Sequence, residues 1–83
     1  MLSEDKIEES YHNLAPKLTN YLIANGMDYA SACDITQECF VRLWKKREII
    51  EDDSSISGFI FAVAKNLKID RYRRNKFIVF QEE

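Results

Sequence analysis

At 83 residues, with 46% hydrophobic and 31% charged side chains, two Gly and one Pro, the chain is one small domain whose composition excludes disorder, collagen and a turn-dense sandwich or barrel. A core of this size leaves no room for a deep catalytic pocket, because buried polar groups would cost more than so small a core returns. The net charge of −2 conceals a separation: residues 1 to 41 carry a net −5 and residues 62 to 76 a net +5, which suggests two partners of different charge, each met by its own face.

In the first third, Ile7, Tyr11, Leu14, Leu18, Tyr21 and Leu22 advance by helical steps of three and four. Pro16 removes a backbone donor and disfavours helix at Ala15, which predicts a kink or a break into two short helices. Gly26 is placed to end this first segment.

Asp28 can cap a second helix running to about Lys46 or Glu48, with Ala32, Ile35, Cys39 and Leu43 as its apolar line and Phe40 and Trp44 as core flanks. A separate face gathers Asp34, Gln37, Glu38, Val41 and Lys45. Its carboxylates, amide and valine suit the Arg-rich helices of a partner, and an ordinary solvated helix face is the alternative. No nucleophile, metal site or positioned base accompanies Asp34 and Glu38, so no catalytic residue is expected.

The stretch Ile50 to Gly58 is polar and aperiodic, a loop closed by a Ser N-cap. Ile56, Phe59, Ile60, Val63 and Leu67 then define a third helix to about Arg74 or Lys76. Away from that arc lie Lys65, Lys68, Tyr72 and Lys76, bordered by Asn66 and Arg73. Cations interleaved with an aromatic ring neutralise phosphates and stack on exposed bases, which suits single-stranded nucleic acid. Asp70 and Arg74 fall near the core side and read as a structural ion pair or cap. Phe77 to Phe80 is apolar but has no strand to pair with, so residues 77 to 83 are expected to be a tail or the start of a linker following a domain over residues 1 to 76.

Cys33 and Cys39, six residues apart on one helix and so about 240° around it, cannot bridge one another and are taken as reduced thiols. His12 is the single histidine, so no zinc spacing exists, and neither a metal nor a cofactor is expected. The longest apolar run, Gly58 to Ala64, falls well short of the ~20 residues of a membrane span. With an acidic N-terminus unlike a signal peptide, the expectation is a cytoplasmic protein with no membrane insertion.

Asp34-x-x-Gln37-Glu38-x-Phe40-x-Arg42-Leu43-Trp44, a short acidic loop, and then Phe59-Ile-Phe-Ala-Val-Ala-Lys-Asn66-x-x-Ile69-Asp70-x-x-Arg73-Arg74, preceded by Tyr11-x-x-Leu-Ala-Pro16-x-Leu18, together resemble region 2 of the extracytoplasmic-function (ECF) sigma factors over about residues 7 to 76. The resemblance implies an all-α, compact three- to four-helix bundle that docks on the beta-prime clamp helices of the RNA polymerase core and recognises the minus-ten promoter element as it melts. It implies polymerase contacts at Asp34, Gln37, Glu38 and Val41, and contacts to promoter DNA, chiefly the non-template single strand, at Lys65, Asn66, Lys68, Arg71, Tyr72, Arg73 and Arg74. Asn66 would border a pocket for a flipped-out base, completed by the loop residues Ile50, Ser54, Ser55 and Ser57. The family's second helical domain, which reads the minus-thirty-five element, has no counterpart up to Glu83; a fragment of a longer protein is the favoured expectation and a stand-alone form the alternative. An anti-sigma factor is a further partner class, and a helical interaction domain that binds such a regulator without touching DNA is the competing reading.

Overall fold

The computed structural model describes the backbone of residues 1–50, 52 and 54–82, and side chains within those bounds as far as Arg74. Among the described residues the fold is three α-helices, α1 (Glu4–Ala24), α2 (Tyr29–Lys45) and α3 (Ser54–Glu82), as the all-α expectation required. Each helix packs on the other two, with α2 touching both neighbours most extensively. The 49 Å long axis follows from α3, whose 29 residues rise about 43 Å at ~1.5 Å each.

Ser3 caps α1, its hydroxyl accepting from the Lys6 N–H at 3.2 Å, and Glu4 and Asp5 sit in the first turn, where the positive end of the helix dipole favours them. The break expected at Pro16 is absent, for α1 runs through it as one helix. Proline leaves the carbonyl four residues earlier, that of His12, without its helical donor; His12 and Pro16 are both exposed, so water can serve that carbonyl. Gly26 ends α1 as anticipated. With φ at +94°, its N–H donates to the Ile23 carbonyl and that of Met27 to the Leu22 carbonyl, a Schellman termination in which a residue with a Cβ would be strained.

Asp28 caps α2 through a 3.1 Å bond from the Ser31 N–H, and the hydrogen bonds from Ser31 hold its carboxyl below the ordinary range. The core joins Ile7, Leu18 and Leu22 of α1, Ala32, Ile35, Cys39, Phe40 and Leu43 of α2, and Ile56, Ile60 and Ala64 of α3, all buried. Each wholly buried Leu or Ile contributes about 2 kcal/mol by removal from water. Leu2, outside the periodic stripe, is also buried, drawn in by a 2.9 Å bond from its N–H to the Arg47 carbonyl. The one buried polar side chain among the described residues, Thr36, meets Thr19 hydroxyl to hydroxyl at 2.9 Å. Trp44 departs from expectation. It is 38% exposed rather than core, with the Arg47 guanidinium 4.0 Å from its ring centroid.

α3 begins at Ser54, earlier than the Ser N-cap near Gly58 implied, because Asp52 supplies the acceptor: its carboxylate takes the Ser54 N–H at 3.0 Å. Contact with Ser54 holds the Asp52 carboxyl below its usual range. At the far end the helix backbone continues through Phe77 to Glu82, past the end near Arg74 or Lys76 that the periodicity predicted. Both described thiols are free, Cys33 half-buried and Cys39 buried, and no helix among the described residues is long and apolar enough to cross a membrane.

Candidate nucleic-acid and protein interfaces

On α3, Lys65, Asn66, Tyr72 and Arg73 are exposed, and Lys65 and Arg73 have no ion-pair partner among the described residues. Lys68 is half-buried and leans on the end of α1. Its ammonium donates to the Asn25 side-chain carbonyl at 3.3 Å and lies 5.8 Å over the Tyr21 ring, a cation–π distance. Arg71, also half-buried, pairs across helices with Asp34 of α2. Arg74 pairs with Asp70 one turn back at 2.6 Å, as predicted in kind, but both are exposed and away from the core. Arg42 binds Glu38 at 3.1 Å, and Arg47 stacks on Trp44 and donates to its carbonyl.

These placements bring Lys68, Arg71 and Tyr72 together around a hollow of about 190 Å³ lined also by Asn25, Gly26, Met27 and Asp28 of the α1–α2 turn and by Ser31 in the first turn of α2. Sequence reasoning gave the turn no binding role, since Gly26 read only as a helix end and Asp28 only as a helix cap. Ile50 is half-buried against the core, while Ser54, Ser55 and Ser57 are exposed on the first turn of α3 instead of in a loop. Asn66 follows Ser57 by nine positions on that helix, which separates them by about 14 Å along the axis and about 180° around it. The serines and Asn66 are therefore not gathered at one point.

On α2, Asp34, Gln37 and Val41 are exposed and Glu38 is half-buried, so the acidic face exists as spaced. Its edges differ. Asp34 and Glu38 hold arginines, whereas Gln37 and Val41 join Tyr11, Phe40 and Trp44 in a shallow apolar groove of about 400 Å³. The rings of Tyr11 and Phe40 meet edge to face at 5.0 Å. Beyond Tyr11 and Gln37 a second, more polar hollow of about 430 Å³ continues between α1 and α2, past His12, Pro16, Thr19, Tyr29 and Cys33. There the Cys33 thiol raises the Tyr29 phenol above its ordinary range. His12 faces Glu8 at 3.8 Å on the exposed side of α1, consistent with a surface histidine.

Two surfaces of opposite charge thus lie on adjoining helices, neither buried, and meet at the Asp34 to Arg71 pair. Residues 10–78 match the family model of sigma-70 region 2. The chain belongs to this family. The matched span contains most of α1, all of α2 and most of α3. Relatives include the ECF RNA polymerase sigma factor RpoE of Cereibacter sphaeroides, 26% identical over 88% of this chain and 41% of its own length. The ECF RNA polymerase sigma factor SigL of Mycobacterium tuberculosis is 34% identical over 81% of the chain and 38% of its own length. The RNA polymerase sigma factor YlaC of Bacillus subtilis is 28% identical over 99% of the chain and 47% of its own length. The chain therefore spans less than half the length of these curated relatives. No solved structure matches it.

As a region 2 domain, the chain carries its acidic and basic motif residues within the matched span, while the groove between Tyr11 and Trp44 was not legible beforehand. Trp44 flanks its apolar stripe, and that flank position was the available signal.

Proposed function

We propose that this domain is the promoter-recognition module of an ECF sigma factor. In this reading the α2 face, through Asp34, Gln37, Glu38 and Val41, binds the beta-prime clamp helices of RNA polymerase core, and α3 binds the non-template strand of the minus-ten element as it melts. What carries the reading is the charge separation in a region 2 fold. An exposed acidic and amide face on α2 stands next to a helix whose segment from residue 62 to 76 bears a net +5.

The two halves use different chemistry. Carboxylates at Asp34 and Glu38 accept charge-assisted hydrogen bonds from partner arginines or lysines, and the apolar groove beside Gln37 and Val41 adds contact that excludes water. On α3, Lys65, Lys68, Arg71, Arg73 and Arg74 neutralise phosphates, while exposed Tyr72 offers a ring for stacking and Asn66 an amide for base edges. Extruding a base costs a few kcal/mol, which stacking at ~1–3 kcal/mol per base can offset. The modest cation count makes DNA binding by the isolated domain weak, so polymerase supplies the remaining affinity and the orientation.

The test has two arms. Charge reversal by Lys68→Glu with Arg73→Glu weakens binding of a labelled single-stranded minus-ten oligonucleotide, and unchanged binding would favour the regulator-binding interaction domain instead. Asp34→Arg with Glu38→Arg abolishes capture of a beta-prime clamp fragment while helicity by circular dichroism is retained; undiminished capture removes the polymerase assignment.

A further inference from the structure

The pair between Asp34 and Arg71 joins a residue of the proposed protein-binding face to a residue of the proposed DNA-binding face, across two helices and 37 positions of sequence. It crosses between helices, whereas the pairs Lys6–Glu9, His12–Glu8, Arg42–Glu38 and Arg74–Asp70 each lie within one helix. Asp34 cannot give its outer oxygen in full to a partner's cation while Arg71 holds it, and Arg71 cannot give its guanidinium to a phosphate while it holds Asp34.

We propose that the Asp34 to Arg71 pair is an exchange link that couples the two surfaces: a cationic side chain of the protein partner that takes Asp34 releases Arg71 toward a DNA phosphate. This deepens the proposed function and rests on it. The released guanidinium has a place to act, because Arg71 already lines the hollow at the α1–α2 turn with Lys68 and Tyr72. There it adds a second cation beside an exposed ring, the combination that holds a single strand. In the free domain the same hollow is weakened as an anion site, since Arg71 is neutralised by Asp34 and the Asp28 carboxylate stands on its rim.

Linkage makes the effect reciprocal, so DNA bound at Arg71 also frees Asp34 for the partner. The size is bounded by the exposure of the pair, with side chains 34% and 65% exposed. Ion pairs of that kind couple by up to about five-fold, equivalent to about 1 kcal/mol. The link therefore tunes affinity and is not an on–off switch.

The experiment measures binding of labelled oligothymidylate to the full 83-residue chain at low salt by fluorescence anisotropy. Asp34→Asn removes the pair with little change of shape, and Glu38→Gln removes the same charge from the same helix face while its partner is Arg42. Asp34→Asn is expected to tighten binding about two- to five-fold more than Glu38→Gln does. In an Arg71→Gln background that excess disappears. Equal effects of the two substitutions in both backgrounds, with wild-type binding still lost on reversing Lys68 and Arg73, overturn the link and leave the DNA-binding reading standing. If no variant and no wild-type protein binds the oligonucleotide, both fail together.

Discussion

The salt dependence of single-strand binding tests the basic face more directly than affinity alone. Each phosphate neutralised by a Lys or Arg releases counterions, and for single strands the slope of log K against log salt is about −0.7 per neutralised phosphate. In the structure Lys65 and Arg73 are exposed without an ionic partner among the described residues, and Lys68 is held by neutral groups, the Asn25 amide and the Tyr21 ring. If those three side chains each meet a phosphate while Arg71 and Arg74 stay with Asp34 and Asp70, the slope is about −2.1, and affinity falls about 18-fold between about 50 and 200 mM salt. Arg73→Gln then flattens the slope by about 0.7 and cuts that fall to about seven-fold. Fluorescence anisotropy titrations of a labelled single strand at several salt concentrations give the slopes directly. A wild-type slope near zero, or slopes unaltered by both Arg73→Gln and Lys65→Gln, would refute the phosphate-tracking role of α3 even if some binding persisted.

Two further predictions concern the interior. Thr36→Val leaves the Thr19 hydroxyl without its 2.9 Å partner and costs about 1 kcal/mol in urea unfolding, whereas Thr19→Val with Thr36→Val costs less than the sum of the two single changes; strict additivity would show that the hydroxyls do not interact. Burial pushes the Cys39 thiol up from 9.0 to about 11, so iodoacetamide at neutral pH labels half-buried Cys33 well before Cys39. Because the folded value lies above the unfolded one, the associated stability is present below pH 9 and is lost as pH rises from 9 toward 11. Equal labelling rates for the two thiols would contradict the packing.

The first two helices were readable because their signals are local. Apolar residues at three- and four-residue spacing became the buried or half-buried stripes, with Tyr11 the exposed exception, and Asp28 and Gly26 act through bonds to residues within five positions. The boundaries of α3 were misjudged for reasons also local. Asp52 lies closer to the preceding turn than any serine and took the capping role; at the other end no Gly or Pro occurs between Lys65 and Glu83, so nothing stops a helix already nucleated. Pro16 was over-weighted, since its cost falls where the orphaned carbonyl faces water. The acidic face and the basic helix were legible as separate patterns, yet their junction at Asp34 and Arg71 was not, because a pair 37 residues apart leaves no mark in any window of sequence. Trp44 failed similarly: a ring on the flank of a stripe is buried only if a neighbour covers it, and no residue of α3 lines the groove that Trp44 shares with Tyr11 and Phe40.

The position of the basic segment follows from a mismatch of lengths. α2 has 17 residues against 29 for α3, about 26 and 43 Å, so α3 cannot be covered along its whole length. Its last fully buried described residue is Ala64, with Leu67 half-buried beyond it. From there on the core places few demands on the helix, and cations can occupy nearly every direction around it without the desolvation cost that a core position would impose. Lys65 to Arg74 occupy that freed stretch. Such a segment gains little stability from packing, and two polar tethers hold its described part to the rest: Lys68 to Asn25 at the end of α1, and Arg71 to Asp34 on α2. A surface pair is worth at most about 1 kcal/mol, small enough for a phosphate or a partner's cation to displace. The side chains that fix the helix in the free domain are thus the ones whose bonds a ligand can take over.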